Sequence, residues 1–239
     1  MALGTRHIGK NLVYYNGPNR KSLYDAVGPD VFQFFEDFNG PVVATTDALV
    51  GWTTTLVEAG GGESTVTMPD AHGGALLLTT DANEDDGINF QKIGENFLLL
   101  AGVQAVYFGV RLKISDATQS DILVGLCITD TTLLGGLSDG VYFEKLDGST
   151  SMSCTTEKNS TETQTDSIGT FVADTYYTLE WYWDGTSVEF FVDGASVAQH
   201  TANICDDEEL TPSIHFLAGA AAVKTCTVDW IRAIQIGRA

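Results

Sequence analysis

The sequence predicts an all-β fold, a sandwich of two antiparallel sheets preceded by an extended N-terminal arm. Apolar residues recur at every second position in run after run, which is the side-chain period of a strand half-buried in a sheet. Asp-Gly pairs bound several of these runs (Asp139-Gly140, Asp147-Gly148, Asp184-Gly185 and Asp193-Gly194), and such pairs supply the positive φ that tight hairpins need. No convincing helical period of ordinary length is present, although Asp206–Leu210 could form one turn ahead of Thr211-Pro212.

The alternation assigns faces. Val106, Phe108, Val110, Leu112 and Ile114 share one side of a strand, and Tyr107, Arg111 and Lys113 the other. Ile122, Val124, Leu126 and Ile128 form a second stripe. Leu179, Trp181 and Trp183 form a third, and Val188, Phe190 and Val192 a fourth. A last strand aligns Val228, Trp230, Ile234 and Ile236, with Arg232 as an exception. Ala59–Gly62 and Thr155–Gly169 read as long loops, the first rich in glycine and the second in Ser, Thr and acids. At 239 residues and 44% apolar content the chain can bury a core without metal or disulfide support.

Residues 1–30 read differently from residues 31–239, which form the sandwich domain. Two turn clusters, Gly17-Pro18-Asn19 and Gly28-Pro29-Asp30, interrupt them, so they are expected to be an arm ordered by contact with something else. The net charge is −20, yet the arm carries Arg6, Lys10, Arg20 and Lys21 against Asp25 and Asp30. That local +2 leaves −22 on the rest. A body so acidic repels phosphates, which argues against nucleic acid as a partner. The arm is expected to anchor on an acidic partner surface, with Arg6, Lys10, Leu12, Val13, Tyr14, Tyr15, Arg20 and Lys21 as the partner-binding residues.

Cys127, Cys154, Cys205 and Cys226 form no C-x-x-C pair, so they are expected to be buried, reduced thiols rather than metal ligands. Met1–Lys10 lacks the apolar core of a signal peptide, and no apolar stretch is long enough to span a membrane. The protein is therefore expected to be made in a host cytoplasm, neither secreted nor membrane-bound.

Two blocks resemble a known superfamily. Tyr177–Gly185 (YTLEWYWDG) followed by Val188–Gly194 (VEFFVDG), with Thr227–Ile234 (TVDWIRAI) as a closing strand, resembles the concanavalin A-like lectin/glucanase superfamily. That resemblance implies a jelly roll. A narrower series is similar to laminin-G-like sandwich proteins of phage virions. It runs over roughly residues 105–236 through Leu112–Asp116, Val124–Thr131, Asp139–Phe143, Glu157–Ser160 and Glu208–Ile214. The narrower resemblance implies a virion structural protein, often at the capsid surface.

The chemistry-bearing motifs are incomplete. Glucanases of this superfamily use E-x-D-x-x-E on a strand, and the nearest match is Glu84-Asp85-Asp86-Gly87-Ile88-Asn89, in which Asn89 cannot donate a proton as a carboxylic acid would. Asp81, Asn83 and Asp85 begin like a calcium loop, but Asp86 and Lys92 stand where Gly and Glu are required. A calcium site drawing on Asp206, Asp207 or Glu208 competes with a solvated acidic turn, and the turn is expected. His7, His72, His200 and His215 are scattered, with His215 expected in the core. Tyr182 and Phe191 face away from the core stripes, to be covered by a neighbouring subunit or to stack on a sugar.

The reading that follows is a non-enzymatic capsid decoration (cement) protein without cofactor or metal. The arm would attach it to the major capsid protein, in a homo-oligomer taken as a trimer. A glycan-binding virion lectin is the alternative, and a polysaccharide-degrading enzyme the remote one.

Overall fold

The computed structural model describes residues 4–16, 22–40, 49–101 and 105–237. Two of the eight expected arm residues, Arg20 and Lys21, lie outside them. The chain opens with β1 (Gly4–Ile8), β2 (Asn11–Asn16) and β3 (Ser22–Val27), which pair in order as an antiparallel sheet. Then come β4 (Val31–Glu36), β5 (Trp52–Val57), β6 (Thr65–Thr67), β7 (Leu76–Thr79), β8 (Gly87–Lys92), β9 (Ala105–Ile114) and β10 (Ser120–Cys127). A short helical turn, Leu133–Gly136, precedes β11 (Gly140–Lys145), β12 (Ser151–Lys158), β13 (Thr161–Thr170) and β14 (Tyr177–Trp183). β15 (Val188–Val192), β16 (Ala195–His200), β17 (Thr211–Ala218) and β18 (Thr225–Ile236) complete the chain.

The sandwich consists of a seven-stranded sheet, β13-β12-β11-β10-β17-β8-β5, and an eight-stranded sheet. The latter runs β16-β15-β14-β9-β18-β7-β6, with β4 paired to the far part of β18. Every strand pair within the described residues is antiparallel. The all-β sandwich of antiparallel sheets expected from the alternation is the observed fold.

Between the sheets lies one continuous core. Phe108 stacks on Trp181 within the eight-stranded sheet, Phe143 meets Phe190 edge-on across the layers at 5.4 Å, and Trp52 stacks on Phe90 at 4.3 Å. Such ring pairs each add roughly 0.5–1.5 kcal/mol beyond their area burial. Asp193-Gly194 closes the β15–β16 hairpin with both φ values positive, as a two-residue primed turn requires.

Three expectations change. Thr155–Gly169 is no loop: it forms the hairpin of β12 and β13, turned by Asn159 and Ser160 at positive φ. Its Ser/Thr content, read as solvation, is that of an exposed edge strand. Asp206–Leu210 forms no helical turn. The third change explains Arg232. The register of β18 against β9 shifts between Val228 and Trp230, so Asp229 is an extra residue that reverses the parity. Val228, Ile231 and Ala233 join the main core, while Ile234 and Ile236 bury on the opposite face, the side on which Arg232 also stands.

The N-terminal sheet covers that opposite face. Val13 and Ala26 pack with Tyr107, Tyr182, Phe191, Ile234 and Ile236 in a second core. The cover expected from a neighbouring subunit is thus supplied by the chain itself, and the described part of the first thirty residues is ordered by docking on the outer face of the eight-stranded sheet.

Candidate functional site

The seven-stranded sheet presents a polar outer face. Pairing arranges it in rows across the strands. Ser153, Glu144, Leu123, His215, Asn89 and Thr55 make one row. Gln164, Thr155, Tyr142, Gly125, Ser213, Gln91 and Thr53 make the next. Glu162, Glu157, Gly140, Cys127 and Thr211 make a third. Gly125 is required here: a Cβ would stand 2.2 Å from the Val141 carbonyl oxygen and 2.7 Å from Tyr142 Cβ.

Two carboxyls on this face hold protons more tightly than usual. Burial pushes Glu144 up, and Gln164 donates its amide to the carboxylate. Burial likewise raises Glu157, which accepts a 2.8 Å hydrogen bond from the Tyr142 hydroxyl. Glu162 adds repulsion to both. Strand spacing puts the Cα atoms of Glu144 and His215, two strands apart in one row, about 10 Å from each other. Glu144 and Glu157 stand roughly 14 Å apart by Cα, against carboxyl separations of about 5–9.5 Å in two-carboxylate glycoside hydrolysis.

The connection from β10 to β11 folds over the middle of the face. Asn89 donates to the Asp130 carbonyl, Gln91 donates to the Ile128 carbonyl at 3.0 Å, and the Asp130 amide donates back to Gln91. Leu133 and Leu137 pack on Leu123, Cys127 and Tyr142. His215 is buried beneath this region with its pKa lowered to about 4 by burial, so the ring is neutral near pH 7.

The residues singled out by motif stand elsewhere. Glu84 and Asp85 are exposed in the turn before β8. Asp86 is buried and accepts the Ala59 amide, and Asn83 donates to both Asp81 and Asp86, filling the place a cation would take. Asn89 alone of that motif reaches the outer face. Asp207 lies beside Asp139 and Cys205, their ligand atoms within 4.8 Å of one another. That group is already engaged. Asp139 accepts from Ser138 and the Asn159 amide, Asp207 pairs with Lys158, and burial pushes the Cys205 thiol up to about 12. All four cysteines are buried and free.

Of the expected arm residues, Val13 is fully buried and Arg6 donates to the Tyr182 hydroxyl at 3.2 Å. Lys10 is exposed at the β1–β2 turn, and Leu12, Tyr14 and Tyr15 are half-buried. Sequence reading missed Glu144, Tyr142 and Glu157. Alternation in Val141, Phe143 set against Tyr142, Glu144 was the available signal.

Fold and face together define a glucanase-like jelly roll of the concanavalin A type. The model of the SO2946-like C-terminal domain family matches residues 70–236, and the chain belongs to that family. Among solved structures, an endo-1,3-beta-glucanase from Streptomyces sioyaensis superposes with a TM-score of 0.62 at 15% identity, over 90% of this chain and 99% of that one. A beta-glucanase of Bacillus licheniformis gives 0.61 at 16% identity, over 86% and 98%. SO2946 of Shewanella oneidensis MR-1, a protein of unknown function, gives 0.59 at 12% identity, over 87% and 89%. No curated protein matches the chain.

These matches correct the expectation of a non-enzyme. The fold over nearly the whole chain is one in which β-glucanases work. The failed match at Glu84–Asn89 was no ground for exclusion, because it searched one contiguous segment. The fold instead gathers Glu144, Tyr142 and Glu157 from two strands onto one face. The matches support fold and family, and do not extend to a place in a virion.

Proposed function

We propose that the chain is a glycan-recognising protein of glucanase-like build, taking a neutral saccharide on the outer face of its seven-stranded sheet. The observation that carries this is the position of Glu144, its proton affinity raised by burial, among Tyr142, Gln164, Thr155 and Ser153, with Glu157 and Glu162 farther along the same face. Amides and hydroxyls match sugar hydroxyls, and a carboxyl whose proton affinity is raised by burial is suited to proton exchange with a glycosidic oxygen. The test is a panel of β-linked gluco-oligosaccharides, read by calorimetric binding and by release of reducing ends. Binding weakened in Glu144→Gln supports the reading. No binding to any member of the panel refutes it.

A second proposal concerns attachment. The charge split of the sequence, and the exposed Lys10, His7 and Val27 on the N-terminal sheet, favour docking of this sheet on an acidic partner such as a phage capsid, in which a trimer is the expected copy number. Co-sedimentation with purified particles tests it. Binding unchanged in Lys10→Glu rejects it.

A further inference from the structure

His215 is 2% exposed, and neither of its ring nitrogens has a hydrogen-bonding partner among the described residues. Asn89, its cross-strand neighbour, is 1% exposed, and its Oδ1 is likewise without a partner there. Buried polar atoms are nearly always satisfied, so two such side chains side by side on one face point to a third group that completes them. A neutral imidazole offers one donor and one acceptor, and the amide oxygen offers an acceptor. A hydroxyl, itself donor and acceptor, fits that set.

The cover over these residues is lightly held. From Asp130 the connection runs through Thr131 and Thr132, both exposed. Thr132 makes no capping hydrogen bond, and the short turn that follows contains non-helical Leu134 and Gly135. Gly135 has φ +75°, a Cβ added there would meet nothing within 4 Å, and Gly136 beside it is exposed. Leu133, 1% exposed, and Leu137, 7% exposed, are the apolar pegs that hold this stretch on Leu123 and Tyr142. Leu123 stands directly between Glu144 and His215 in its row, so the pegs sit over the line joining those two groups.

We propose that residues 131–137 form a lid over a closed saccharide subsite whose floor is His215 and Asn89, which receive one sugar hydroxyl when the lid lifts. This rests on the glycan reading above and deepens it. The row then continues the site from Glu144 under the lid towards β8. A lid closed in the free protein reduces apparent affinity by the fraction of molecules that are open, so loosening it tightens binding.

The experiment titrates the full chain with the β-linked gluco-oligosaccharide panel in three forms: unaltered, Leu133→Ser and His215→Leu. Thermal unfolding of each first confirms a folded state. Leu133→Ser is expected to bind about tenfold more tightly, with faster hydrogen exchange confined to residues 131–137. His215→Leu is expected to bind at least about tenfold more weakly. Binding that neither substitution alters overturns the lid and subsite while leaving glycan recognition standing. Absence of binding in all three forms overturns both.

Discussion

Replacement of His215 by leucine should remove a specific part of the protein's acid sensitivity. The folded imidazole has a pKa of about 4, against an ordinary value of 6.5, because burial disfavours its charged form. Below pH 6.5 the unfolded chain therefore takes up a proton that the folded one refuses, and stability falls until the folded value is reached. At about 1.4 kcal/mol per pH unit this loss is roughly 3 kcal/mol between pH 6.5 and 4. In a chain of this size that corresponds to a fall in Tm of roughly 6–12 °C. Leucine cannot titrate. It also removes two unpartnered polar atoms, so His215→Leu should be close to neutral or stabilising near pH 7. Asp121, Glu144 and Glu157 work in the opposite sense: burial raises them, and the stability they add at low pH is lost as pH rises. They and the buried His200 are common to both proteins and cancel in the difference. The assay is urea unfolding of both proteins at about pH 7.5 and about pH 4.5. A difference between them that stays constant to within about 0.5 kcal/mol across that range would refute the argument.

Other outcomes follow from the packing. Phe90→Ala should cost about 3–5 kcal/mol, measured by urea unfolding, because the ring is fully buried and stacks on Trp52. Val13→Asp should loosen the N-terminal sheet and raise dye binding to exposed apolar surface, since it places a charge in the second core. Removal of residues 1–30 should produce a protein that aggregates, seen by light scattering, because Tyr107, Tyr182, Phe191, Ile234 and Ile236 lose their cover. The four thiols should stay unreactive to a thiol reagent at about pH 8 until denaturant is added, given burial and pKa values pushed up to about 12 at Cys154 and Cys205.

Where side chains alternate against one core, the sequence was easy to read. Val106 to Ile114 and Leu179 to Trp183 lie on the faces that period-two counting assigns. β18 defeated the counting because a bulge adds a residue without any local marker: Asp229 is neither glycine nor proline. The N-terminal sheet was hidden for a related reason. The fully buried apolar residues of its inner face are only Val13 and Ala26, too small and too few to register as a stripe, and their partners, from Tyr107 to Ile236, lie far along the chain. The polar site escaped because its members are scattered among strands, and only pairing shows that Glu144, Leu123 and His215 share a row. The motif search, confined to neighbours in sequence, was drawn to Glu84, which is exposed, and to Asp86, whose carboxylate holds a turn together.

The bulge in β18 also sets a timetable for biosynthesis. Its residues supply both the pairing edge for β4 and the apolar patch beneath the N-terminal sheet, yet they lie roughly 190 residues after β4. At about 5–20 residues per second, a nascent chain spends roughly 10–40 s with its first strands translated and their docking surface not yet made. During that interval β4 lacks its pairing strand and Val13 lacks Ile234 and Ile236, which makes the early chain a client for chaperones and gives a slow ribosome a direct influence on the yield of folded protein.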